Sequence, residues 1–220
     1  MKQTSLSLRE ISDIINSNFS KKLYGAKKQK IHFNALNLTV NVEDNILFID
    51  AGYAKNLPEF SLELDKLMEI NHPKKLRIPK QFTRKEEELI GGNFKPYYFK
   101  LEKNNDKNKE YRLVGVIYYK SPKKDLLEDI YIRGHEETHA LCFFGAFDDF
   151  KLAVNEQFNL DLGSIKKPDL EVIGHIGGVR AAQIIGYSLE DIIINKEKKG
   201  LTSFKEYQEA LKLIKGESNY

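Results

Sequence analysis

A single cysteine, Cys142, is all the 220-residue chain contains, so an internal disulfide is excluded and a reducing compartment suits the protein. No apolar run approaches the roughly 20 residues of a membrane-spanning helix. The opening stretch, MKQTSLSLREISDIINSNF, also lacks the continuous apolar core of a secretory signal. A cytoplasmic location without membrane contact is therefore expected. Neither sign of charge dominates: 35 basic residues against 32 acidic ones leave a net charge of +3, too little to specify nucleic acid or membrane as a partner. Long polar low-complexity segments and internal repeats are missing too. With 41% hydrophobic and 30% charged residues, the chain is expected to build a globular core.

Periodicity divides the chain in two. Leu6, Leu8, Ile11, Ile14, Ile15 and Phe19 fall near helical spacing, with Ser5 or Ser7 as N-cap, and predict a first helix over 5–18. IHFNALNLTVNVEDNILFIDAGY, residues 31–53, alternates and breaks at Glu43-Asp44-Asn45, which predicts a β-hairpin turning there. A short helix is expected over 61–70, ended by Asn71-His72-Pro73. A second hairpin is expected over 95–120, its strands flanking the polar linker 104–109. From Asp125 the pattern is helical around HEETH, loosens over 146–167, and returns to helix from Lys167-Pro168-Asp169 to about Gly186. Shorter helices are expected at 188–195 and 203–215. The fold class is thus α+β: a strand-rich N-terminal half with an antiparallel or mixed sheet, and a helical C-terminal half. We expect one domain over 1–220, with lobes 1–121 and 122–220.

The segment RGHEETHALCFFGAF, residues 133–147, holds the chemistry. His135 and His139 are four apart, so on a helix they differ by only about 40° around the axis and can aim two imidazoles at one metal ion. Glu136 is turned about 100° from His135, near enough to reach a water at the metal without ligating it. Glu137, about 200° round, is expected on the surface. A catalytic zinc needs a third protein ligand, and DLEVIGHIGGVRAAQIIGY offers Glu171 and His175, again four apart. Gly178 and Ala182 share their face and would let this helix pack close to the HEETH helix, whereas Arg180 points the opposite way. Cys142 lies on the ligand side of its helix, where a buried small hydrophobe suits it better than a thiolate ligand. His32 and His72 have no partner at ligand spacing and are read as ordinary residues.

HEETHAL resembles the HExxH active-site helix of the zincin metallopeptidases, and its HExTHA form is similar to thermolysin-like enzymes. In the glutamate-zincin branch, a downstream helix carries a ligand glutamate followed four residues later by an aspartate that orients the first histidine. Glu171 matches that ligand, and His175 stands where the aspartate would be, either orienting His135 or serving as third ligand itself. The metzincin branch is excluded, because Gly145 occupies the position of its third histidine. The resemblance covers residues 125–187 and implies a compact zincin-like domain with its active-site cleft between the two lobes.

It further implies one Zn2+ per chain, a peptide or protein substrate, and hydrolysis with Glu136 as general base. An oxyanion stabiliser from the helical lobe is also implied, for which Tyr187 is the nearest tyrosine after the ligand helix. A substrate strand would add to a sheet edge, expected at YRLVGVIYYK (Tyr111 to Lys120), with Tyr118 and Tyr119 lining the cleft. Two other readings compete. One is a non-catalytic module stabilised by metal, closed by Cys142 or by both Glu171 and His175, that uses the cleft for a protein partner. The other is nucleic-acid binding through the helix and basic tail of SLREISDIINSNFSKKLYGAKKQK, which the lack of a broad basic footprint disfavours.

Overall fold

The structure, a computed structural model, describes residues 5–21, 27–71, 75–76, 91–101, 110–120, 125–163, 169–200 and 203–217. His72, the linker 104–109 and Lys167-Pro168 lie outside the described residues. The chain is α+β, as its periodicities require. In order it forms α1 (Leu8–Phe19), β1 (Lys28–Phe33), β2 (Leu38–Glu43), β3 (Ile46–Ala54), α2 (Leu57–Asn71), β4 (Lys75–Leu76), β5 (Gly92–Leu101) and β6 (Glu110–Lys120). Helices α3 (Leu126–Phe143), α4 (Phe147–Phe158), α5 (Leu170–Ile184), α6 (Leu189–Lys198) and α7 (Lys205–Ile214) follow. Among the described residues, no helix is long and apolar enough to cross a membrane. The chain divides into two compact units, residues 1–29 with 41–121, and residues 30–40 with 122–220. Residues 30–40 belong with the helices of the second unit.

In the first unit, four strands form a mixed sheet in the order β3-β6-β5-β4. β3 runs parallel to β6, while β5 runs antiparallel to both β6 and β4. Same-face residues at period two, Val114, Val116 and Tyr118 of β6 with Tyr97 and Phe99 of β5, meet Ile11 and Ile15 of α1 and Leu64 and Met68 of α2 in one core. Ser7 caps α1 in a reciprocal box with Glu10. The buried Arg112 guanidinium closes the other end of that helix, donating to the side-chain oxygen of Asn18 (2.9 Å) and to the carbonyl of Lys21 (2.8 Å). β6 is an interior strand, so the expectation that it forms the sheet edge fails. Its backbone groups are taken up by β3 and β5, and among the described residues the edges are β3 and β4. Tyr118 and Tyr119 are buried, and the Tyr118 hydroxyl accepts from the Asn93 amide at 2.9 Å.

Two other expectations are corrected. The first hairpin pairs β1 with β2 and turns at 34–37, whereas the corner at Glu43-Asp44-Asn45 leads into β3, in the other sheet. Ala35 and Leu36 disguise that turn as strand, since both are buried apolar residues; Asn37 supplies its positive φ of 49°. The stretch 146–167 is not loose throughout, because α4 occupies its first part. Phe150, Ala153 and Val154 give α4 a buried face, and Asp148-Asp149 are first-turn acids rather than loop residues. In the second unit, α3 packs on α5 and α5 on α7. Leu127, Tyr131, Val179, Ala182, Ile192, Tyr207 and Leu211 form their common core.

Candidate metal centre

α3 begins at Asp125, whose side chain accepts the Glu128 N–H at 3.2 Å. α5 begins at Asp169, which accepts the Glu171 N–H at 2.8 Å and so fixes the turn carrying that glutamate. The HEETH turn is entirely inside the protein, none of its five residues being more than 6% exposed. Small residues let the two helices meet. A β-carbon on Gly134 would stand 2.4 Å from that of Ala181, and one on Gly177 would stand 1.9 Å from the Thr138 hydroxyl. Gly178 and Ala182 are placed on this face by helical period alone, whereas the roles of Gly134, Gly174 and Gly177 depend on the partner helix.

Four donor atoms converge between the helices. The Nε2 atoms of His135 and His139 lie 2.9 Å apart. Glu171 places Oε2 at 3.3 Å from His135 Nε2 and Oε1 at 3.2 Å from His139 Nε2. Ligand atoms about 2.0–2.1 Å from a tetrahedral zinc stand about 3.3 Å from one another, so this spacing suits such an ion. Buried His135 Nδ1 has no aligned hydrogen bond, and a carboxylate facing two imidazole nitrogens is a fitting donor set for a cation.

Electrostatics separates the members of the group. Burial acts to raise the pKa of Glu171, yet its contacts with His135 and His139 outweigh burial and hold the carboxylate ionised far below the usual range. Burial keeps His135 neutral, its pKa below the ordinary value despite Glu171. For His139 burial acts in the same sense, but Glu171 and then Glu136 outweigh it and raise the pKa. Glu136 is itself only 4% exposed. His175 is held neutral by burial and by His135 beside it. One donor atom of His175 lies within 4.8 Å of donors of His135 and Glu171. A second layer sits below: the Tyr131 hydroxyl is 2.9 Å from His175 Nδ1, and Tyr207 meets the His175 ring edge to face.

Two expectations about individual residues fail, those for Glu137 and Tyr187. Glu137 is no surface charge: it is 2% exposed, and its carboxylate accepts the Ala35 N–H at 3.1 and 2.9 Å and the Leu36 N–H at 3.0 Å, satisfying the buried turn of the β1–β2 hairpin. The helical wheel gives its direction correctly; what lies in that direction comes from residues a hundred positions earlier. Tyr187 follows the last turn of α5, with its N–H on the Ala182 carbonyl. The helix rise puts that end about 20 Å from Glu171, beyond the reach of a tyrosine side chain, and Tyr187 instead packs against the apolar core of the unit. Cys142 is pushed up to about 12 by burial, so it stays a thiol, and it is absent from the donor group. His32 places its Nδ1 2.9 Å from the Thr39 hydroxyl. Tyr131 and Lys196 are not among the residues that ligand spacing singles out. Tyr131 could have been found, since it lies four residues before His135 on the same face; Lys196 carries no comparable signal.

Comparison of the chain with family models, with curated proteins and with solved structures finds no match to any of them.

Proposed function

We propose that this protein is a zinc-dependent metallopeptidase of zincin type, with His135, His139 and Glu171 as ligands and Glu136 as general base. The convergence of two Nε2 atoms and two carboxylate oxygens within 2.9–3.3 Å supports this reading most directly. Bound zinc would polarise the scissile carbonyl and acidify water at neutral pH. Glu136, next to His135 and buried, takes the proton from the attacking water and passes it to the leaving amine. Glu171 neutralises part of the ion's charge, and Gly174 leaves room for both imidazoles. The substrate class is a peptide or protein. A cytoplasmic location belongs to the same proposal, with Cys142 as a free thiol in support.

The competing reading is a closed, non-catalytic metal site that stabilises a partner-binding module. The nearness of His175 to His135 and Glu171 favours it, since His175 would supply a fourth protein ligand. Elemental analysis of dialysed protein against its His139→Ala variant tests both. About one zinc per chain, lost in the variant, is expected. Protein that neither contains zinc nor takes it up would overturn both readings.

A further inference from the structure

The contact between Tyr131 and His175 bears on how many protein ligands the site can offer. Both side chains are buried, and the Tyr131 oxygen is 2.9 Å from Nδ1 of His175. Burial weakens the phenol as an acid, but an imidazole lone pair is a better acceptor than a phenolic oxygen, so the favoured sense of this contact has the hydroxyl donating and Nδ1 accepting, the reverse sense requiring the proton on Nδ1. Lys196 reinforces that direction. Its ammonium nitrogen lies 3.8 Å from the centre of the Tyr131 ring, and a cation on the ring face draws electron density from the phenol. Gly178 holds the ring closely, since a β-carbon there would come within 2.9 Å of it. With its Nδ1 lone pair engaged, a neutral His175 carries its proton on Nε2. Neither ring nitrogen then has a lone pair for a metal ion.

We propose that Tyr131 is a positioning residue that locks His175 as the Nε2–H tautomer and so keeps it out of the ligand set. The inference rests on the metallopeptidase reading for what the neighbouring layer holds. Under it, the ion has three protein ligands, His135, His139 and Glu171, and an open position for substrate. Tyr131 thereby separates a catalytic centre from a closed one.

The test is a long-range 1H–15N correlation spectrum of the imidazoles in the 15N-labelled full-length protein, first metal-free and then with zinc added. In both states His175 should show a protonated Nε2 and an acceptor Nδ1. In Tyr131→Phe the two tautomers should become mixed. A protonated Nδ1 in the wild type, a His175 nitrogen shifting as a metallated one on adding zinc, or an unchanged tautomer in Tyr131→Phe would each overturn the proposal. The first measurement needs neither a variant nor a metal. A protein that binds no zinc would therefore sink the metallopeptidase reading while the tautomer is still decided.

Discussion

Gly174 stands so close to His135 that a β-carbon on it would lie 2.7 Å from ring carbon Cε1, and 2.9 Å from Nε2 of His139. Any side chain at this position displaces the two imidazoles whose nitrogens face Glu171. Gly174→Ala should therefore weaken zinc binding by about 1–3 kcal/mol, the usual cost of overpacking a filled interior. Competition with a chelator of known affinity measures it. Binding as tight as that of the wild type would mean that the rings have other places to go.

Glu136→Gln keeps the size of the side chain and removes the base. Peptide hydrolysis should fall by about 100- to 10,000-fold, the range a positioned general base supplies, while zinc content stays unchanged. Equal loss of metal and activity would show that Glu136 serves the site's structure instead.

The three contacts from Glu137 make a different prediction, about stability. In Glu137→Ala the buried N–H groups of Ala35 and Leu36 lose their acceptor, at about 1–3 kcal/mol for an orphaned buried group. Urea unfolding should show the midpoint moving down. An unmoved midpoint would mean that the turn finds other acceptors.

Zinc affinity should depend on pH with a definite sign. His139 has its pKa raised above 6.5, so below that raised value zinc must displace a proton from it, and above it none. Apparent affinity should climb with pH by about tenfold per unit and level off beyond the pKa of His139. His135 is held below 6.5 by burial and is already neutral there, so one proton is released rather than two. Titrations at a series of pH values give the slope directly, and a slope of two would place a proton on both rings.

Lys196 is buried with a pKa of about 8 against an ordinary 10.5, lowered chiefly by burial. Its folded-state value lies below the unfolded one, so the charge penalises the fold fully below pH 8, and the penalty fades as pH rises towards 10.5. Lys196→Met should stabilise the protein by about 1–3 kcal/mol at pH 7 and by much less at pH 10. Denaturant unfolding at the two pH values checks it. A loss of stability at pH 7 would show that the cation's hold on the Tyr131 ring outweighs its desolvation.

The sequence by itself determined whatever depends on a residue's direction around its own element. The i, i+4 spacing put His135 with His139 and Glu171 with His175 on single helix faces, and Ser7, Asp125 and Asp169 marked helix starts. Tertiary structure decided what each of those faces meets. It buried Glu137 against the 34–37 turn, made β6 an interior strand, packed Tyr187 against the apolar core of its unit, and set Lys196 on Tyr131 beneath His175. The physical reason is the range of the forces involved. Backbone periodicity is local and can be read from a dozen consecutive residues, whereas close packing brings together side chains that sequence spacing does not relate.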